Sequence, residues 1–77
     1  MVQAYVLVEV DPGRAREVNA AIAKAPGVLS CAVVTGPYDI VVHVFGDDVD
    51  SLSRAVESFV RSVDGVTRTI TCPIFHL

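Results

Sequence analysis

Segment 33–42 constrains the fold of this chain most, because two β-branched apolar runs meet there at a Gly-Pro-Tyr-Asp break. Gly36 tolerates backbone angles that other residues avoid, and Pro37 fixes its own φ at a value that suits a turn. Such a break predicts two antiparallel strands joined by a short turn. The turn also brings together Tyr38, Asp39 and several backbone N–H groups, which makes it the best candidate for polar recognition.

The chain has more hydrophobic residues than a domain of its size can bury. At 77 residues it is predicted to be a single domain, residues 1–77, and a domain of this size buries only about 60% of its unfolded surface. Yet 52% of the residues are hydrophobic, and the mean hydropathy is +0.53. No apolar stretch approaches the ~20 residues needed to span a membrane, and the N-terminus lacks the basic region of a signal peptide. We expect a cytoplasmic protein whose excess apolar surface is covered by another protein chain.

Charge and cysteine content exclude several function classes. The net charge is −3, and the six basic residues do not cluster, whereas a nucleic-acid-binding chain needs a basic patch. Cys31 and Cys72 lie far apart in apolar, strand-like segments, which predicts two buried, reduced thiols. No Cys-x-x-Cys motif and no His/Cys pair at metal-ligand spacing is present, so neither a metal site nor a cofactor is expected.

The remaining segments alternate between strand and helix patterns. Asp11 is predicted to cap the first helix, with Pro12 at its first position, and Asp48 or Asp50 to cap the second. Pro73 cannot donate to a strand ladder, so the last strand is expected to end at an edge or to leave the sheet. The predicted elements are strand 2–10, helix 12–25, strand 28–35, strand 39–45, helix 49–63 and strand 66–75.

The order βαββαβ predicts an α+β, ferredoxin-like fold, in which a four-stranded antiparallel sheet carries both helices on one face. Neither face of this sheet is consistently polar, although two helices can cover only one of them. An antiparallel sheet with one face in water should alternate more cleanly. We therefore expect the same face of a second copy to cover the open side, which gives a dimeric, α+β barrel-like assembly.

Two motifs, in this order, resemble the effector-binding half of the Lrp/AsnC family, called the RAM domain and related in fold to ACT domains. They are Val34-Thr35-Gly36-x-Tyr38-Asp39-Ile40 and Gly65-Val66-x-x-Thr69-x-Thr71. The resemblance covers Val2 to Phe75. It implies a homodimer, in many members a ring of dimers, with an amino acid or related small metabolite bound in clefts between subunits. It assigns ligand binding to Gly36, Tyr38, Asp39, Thr69 and Thr71.

The sequence departs from the family pattern at its N-terminus. Family regulators carry a helix-turn-helix domain there, whereas this sequence starts at its first strand. The expectation is a stand-alone module without DNA binding of its own. It would act in the regulation of amino-acid metabolism, with full-length Lrp/AsnC-type regulators as protein partners.

The residues of the proposed site allow two interpretations. Backbone N–H groups near Gly36 can bind a ligand carboxylate, and Asp39 can pair with its ammonium group. Alternatively, Asp39 only accepts local N–H bonds in a stable turn, and Thr69 and Thr71 are ordinary strand residues.

Three functions remain possible. The favoured one is a non-enzymatic amino-acid sensor; the others are a small dimeric enzyme (a cofactor-free monooxygenase or isomerase-like protein) and a purely structural assembly module. An enzyme needs converging titratable groups, and His43, its candidate acid/base, has no evident Ser or Cys partner. The acidic residues between 47 and 50 lack the pattern of a calcium-binding loop, and helix capping explains them better.

Overall fold

Strands and helices follow one another in the predicted order in a computed structural model, which describes residues 1–76. The elements are β1 (Val2–Val10), α1 (Ala15–Ala23), β2 (Val28–Val33), β3 (Ile40–Gly46), α2 (Val49–Ala55), a π-helical turn continuing it (Val56–Val60), and β4 (Val66–Pro73). The strands form one antiparallel sheet in the order β2-β3-β1-β4. This confirms the predicted α+β, ferredoxin-like fold.

The hydrophobic core lies on one side of the sheet, beneath both helices. β1 is a central strand and alternates strictly, so that Ala4, Val6 and Val8 are each 0% exposed. The same cluster contains Ile40, Val42 and Val44 from β3, Val18 and Ile22 from α1, and Leu52, Val56 and Val60 from α2 and its π-helical turn. Successive strand residues point to opposite faces, so both helices cover the face on which these side chains lie.

The first helix is shorter than the predicted 12–25. Gly13 has a φ of +81°, in the left-handed region, and the right-handed helix begins only after it. The prediction that Asp11 caps this helix, with Pro12 as its first residue, is therefore wrong. The backbone N–H of Asp11 instead donates to the carbonyl of Gly65 at 2.9 Å, which ties the end of β1 to the start of β4.

Arg14 joins the first turn of α1 to the segment before β4. Its Nε donates to Glu17 Oε1 at 2.8 Å, and its Nη1 donates to Asp64 Oδ2 at 3.1 Å. These bonds, the one to Glu17 first, raise the pKa of Arg14, and Arg14 in turn lowers the pKa of the Glu17 carboxyl. Since the two carboxylates are exposed, this contact orients the helix more than it stabilises the fold.

The second helix begins as predicted, with Asp48 as its cap. Asp48 Oδ1 accepts a hydrogen bond from the backbone N–H of Ser51 at 2.7 Å. The predicted helix 49–63 ends earlier and changes character at Val56–Val60. There the Ser58 hydroxyl donates to the carbonyl of Arg54 at 2.9 Å, a local bond that competes with regular helix geometry.

Pro73 and the two cysteines lie on the two edge strands of the sheet. β4 is an edge strand, as predicted, and it ends at Pro73, two residues before the predicted end at 75. Cys31 is half-buried on β2 at the opposite edge, and burial raises the pKa of its thiol. The prediction that both thiols are buried is wrong for Cys72, which is exposed because it lies on the side of β4 that no helix covers.

Candidate functional site

The connection between β2 and β3 is held by Asp39 through three hydrogen bonds. Its backbone N–H donates to the carbonyl of Val8 at 2.9 Å, and its carbonyl accepts from the N–H of Val34 at 2.8 Å. Its side-chain Oδ2 accepts from the N–H of Val10 at 2.9 Å. Asp39 thus joins the ends of β1 and β2 to the start of β3.

The side-chain bond of Asp39 meets a specific need of the backbone. The pairing of β1 with β4 shifts register between Glu9 and Val10, and a register shift disrupts the regular ladder. The carboxylate gives the Val10 N–H an acceptor at this point. This bond shows that Asp39 has a turn-forming role. It uses Oδ2 and leaves Oδ1 for another donor.

Gly36 and Tyr38 lie in the same connection. Gly36 is exposed and has a φ of +145°, a conformation that residues with a side chain rarely adopt. A Cβ at this position would meet nothing within 4 Å, so the backbone is open to an approaching molecule. Tyr38 and Asp39 are half-buried beside it. The structure therefore brings these three predicted residues together.

The two threonines are separated from this turn by β1. Thr69 lies opposite Val8 and Thr71 opposite Val6, on the helix-covered side of the edge strand β4. Thr69 is at the same end of the sheet as the turn, whereas Thr71 is two residues further along. Since neighbouring strands are about 4.8 Å apart, a distance of about 10 Å separates Thr69 from the β3 side of the sheet. Within one chain, β1 therefore lies between the threonines and the strand that begins after the turn.

The face of the sheet away from the helices, here called the open face, carries two different rows of side chains. The strand register gives an apolar row, Ala32-Val41-Leu7-Ile70, and a polar row, Ser30-His43-Tyr5-Cys72. Gln3, Phe45, Glu9 and Arg68 lie on the same face beyond these rows. Tyr5 and Phe45 are 44% and 41% exposed, respectively.

The centre of the polar row is a cluster that the sequence did not reveal. The Tyr5 and His43 rings stack with centroids 4.9 Å apart, and His43 Nε2 lies 2.8 Å from Gln3 Oε1. These residues come from two strands, and only the register between β1 and β3 brings them together. The alternation of Gln3 and Tyr5 in the sequence was the only available signal. The neighbours of His43 are the Gln3 amide, the Tyr5 phenol and, opposite it on β2, Ser30. The sequence showed no serine beside His43, whereas the strand register supplies this one.

An apolar groove lies at the other end of the sheet, between the end of α1 and α2. It has an empty volume of about 280 Å³, which includes space open to solvent, and Pro26, Phe45, Leu52 and Phe59 are among its lining residues. Its lining side chains are all apolar, so it offers no side-chain partner for the charged groups of an amino acid. Among residues 1–76 no group of three or more His, Cys, Asp or Glu residues could hold a metal ion. No helix in the same described range has the length and apolarity to cross a membrane.

Comparisons with known proteins identify the family of this chain. The model of the Lrp/AsnC ligand binding domain matches residues 3–76. The HTH-type transcriptional regulator LysM of Saccharolobus solfataricus is 38% identical over 69 residues, which are 88% of this chain and 48% of LysM. This chain therefore belongs to the Lrp/AsnC ligand-binding domain family, and it spans about half the length of the curated relatives it matches.

Solved structures agree with this assignment. TTHA0845 from Thermus thermophilus superimposes with a TM-score of 0.92 at 38% identity, covering 100% of this chain and 96% of that one. The transcriptional regulator NMB0573 of Neisseria meningitidis, solved as an L-Met complex, superimposes with a TM-score of 0.84 at 30% identity. That match covers 97% of this chain and 50% of NMB0573. The predicted resemblance to the Lrp/AsnC family is confirmed.

Proposed function

We propose that this chain is a non-enzymatic amino-acid sensor that acts as a homodimer. The observation that carries the proposal is its membership of a ligand-binding domain family in which a 30% identical relative was solved as an L-Met complex. The turn around Gly36 supports it, because an exposed glycine backbone and a carboxylate lie side by side there.

The proposed ligand is a free amino acid or a related small metabolite held by its two charged groups. Its carboxylate is bound by backbone N–H groups near Gly36, and its ammonium group pairs with the free Oδ1 of Asp39. Tyr38 borders this site. Thr69 and Thr71 belong to an edge strand on the other side of β1. In a site between subunits, another subunit would supply them to a ligand at the turn.

Dimerisation through the open face supplies the cover that this face lacks. Its apolar row runs across all four strands, and neither helix covers it. Burial of such a row in an isologous interface is favourable and removes the excess apolar surface. Dimers would assemble further into rings, and full-length Lrp/AsnC-type regulators are the proposed protein partners, in the cytoplasm. We also propose that residues 1–77 form a single domain and that this chain does not itself bind specific DNA.

A thermal-shift screen of the purified protein against the amino acids, with methionine first, tests the sensing function. A ligand that binds only the folded state at 100 times its Kd stabilises the protein by about 2.7 kcal/mol. The expected result is a raised Tm for one amino acid or a related group, and none for the D-enantiomer. A screen in which no amino acid changes the Tm, with the protein folded and dimeric, contradicts sensing and leaves the structural assembly module.

A further inference from the structure

His43 stands at the centre of the open face without an acidic neighbour. His43 is half-buried, its ring stacks on Tyr5 of the neighbouring strand, and its Nε2 lies 2.8 Å from the side-chain oxygen of Gln3. Ser30 lies beside it on β2. In the neutral tautomer that carries its proton on Nε2, the ring donates to Gln3 Oε1 and keeps Nδ1 as an acceptor.

We propose that His43 makes dimerisation of this protein dependent on pH, so that the dimer forms at neutral pH and weakens as His43 takes up a proton. The inference rests on the proposed dimer through the open face. An isologous interface brings both copies of His43 into the same buried contact, so protonation places two positive charges there.

Protonation changes what His43 requires from its surroundings. The imidazolium carries a second N–H donor, which reaches water as long as the open face is uncovered. A second copy packed on this face excludes that water. A buried charge without an opposite charge nearby is costly, whereas the bond from Nε2–H to Gln3 exists in both protonation states and does not offset the cost.

The other charged and titratable groups of the open face do not compensate for this charge. β1 contributes Tyr5 and Glu9, and β4 contributes Cys72 and Arg68. Glu9 lies opposite Arg68 in the register of β1 and β4, and its Oε1 accepts from the Thr67 hydroxyl at 3.2 Å. The acids nearest His43 in sequence, Asp39 and Asp47, lie just beyond the two ends of β3. The residues that β2 and β3 place on this face beside His43 are Ser30, Ala32, Val41 and Phe45, and none of them is an acid.

The direction of the effect follows from proton linkage. The separated subunits bind protons at His43 more readily than the dimer does, so low pH favours dissociation. Both copies of His43 lie in one interface, so the penalty for the charge acts twice on the Kd of the dimer.

Sedimentation equilibrium of the full chain between about pH 8 and pH 5.5, above the ordinary range of exposed carboxylates, tests this inference. The Kd of the dimer should rise by about 10- to 100-fold across this range in the wild-type protein. His43→Gln, which cannot take up a proton, should give a flat profile. His76 is the other of the two histidines and is exposed near the C-terminus, so His76→Gln is the matched control and should behave like the wild type.

The outcomes separate the two proposals. A monomer at pH 8 overturns the proposed dimer and the inference with it. A wild-type dimer whose Kd does not change with pH, or a His43→Gln dimer that keeps the wild-type pH dependence, overturns only the inference. Should His43→Gln fail to dimerise at pH 8, NMR titration of the wild-type His43 ring decides. Its midpoint should move to lower pH as the protein concentration rises, and a midpoint that is independent of concentration overturns the inference.

Discussion

The two sides of β1 have different surroundings, although the side chains of one strand alternate between them. Ala4, Val6 and Val8 on one side are fully buried by the chain's own helices. Tyr5 and Leu7 on the other side belong to the open face, where an apolar row lies next to a polar one. The chain's own helices bury the covered side, whereas the open side is the surface that we propose a second copy covers. The same alternation within β1 thus serves folding on one side and, in the proposed dimer, association on the other.

A charge at the centre of the apolar row should have the largest effect on association. Leu7→Asp places one uncompensated charge in each half of the interface, at a cost of about 3–5 kcal/mol for each charge left unpaired. We expect a monomer in sedimentation velocity runs, with the circular dichroism spectrum of the folded chain. Ala20→Asp adds the same charge on the exposed side of α1 and should leave the dimer intact. A Leu7→Asp dimer of wild-type affinity would rule out the open face as the interface.

A cavity on the covered side should act on folding instead of association. Ile22 is 0% exposed beneath α1, and Ile22→Ala should lower the free energy of unfolding by about 2–5 kcal/mol. Leu29→Ala, on the edge strand β2 where Leu29 is 50% exposed, should cost no more than about 0.5 kcal/mol. Urea titrations at one fixed protein concentration measure both, since dimerisation contributes to stability. Equal costs for the two variants would contradict the one-sided core.

Much of the covered side could be predicted from the sequence, because it depends on local patterns. The alternation in residues 2–10 placed Ala4, Val6 and Val8 on one side, and the Asp48 cap required only a side chain at the right offset. The start of α1 could not be predicted in the same way. Pro12 suits a first helical position, but the positive φ of Gly13 interrupts the helix there, and this becomes evident only with the link from Asp11 to Gly65.

The candidate site depends on register, which the sequence does not encode locally. The turn around Gly36 was predicted because its residues are consecutive. The bond from the Val10 N–H to Asp39, the position of Thr69 across β1, and the stacking of Tyr5 on His43 all join residues far apart in the chain. A slip of one residue between strands would move each side chain to the other face, so these contacts required the folded structure.

Asp39 lies just before β3 and bonds to β1, and its variants separate its turn-forming role from its proposed ligand-binding role. Asp39→Ala leaves the Val10 N–H without its acceptor and should cost about 1–3 kcal/mol of stability. Asp39→Asn keeps an acceptor oxygen and should preserve fold and dimer. If Oδ1 pairs with the ligand ammonium, Asp39→Asn should weaken amino-acid binding by on the order of 1.5–3 kcal/mol in calorimetry. Unchanged affinity in a folded Asp39→Asn protein would leave Asp39 with its turn-forming role alone.

The smallest predicted effect concerns the cap of α2, on the covered side but at the protein surface. The N–H of Ser51, and its side chain, stabilise the ionised Asp48 and hold the pKa of its carboxyl below the ordinary value. A folded-state pKa that is lowered contributes stability above the unfolded-state value and loses it as pH falls. Asp48→Ala should therefore be slightly less stable than wild type at neutral pH, and the difference in stability should narrow below about pH 3.9, the ordinary pKa of aspartate.

Thermal unfolding at pH 7 and at low pH measures this difference in stability, with Asp47→Ala as the control, because Asp47 is an exposed neighbour outside the cap. A difference between wild type and Asp48→Ala that stays constant with pH would show that the carboxylate charge does not contribute to the cap.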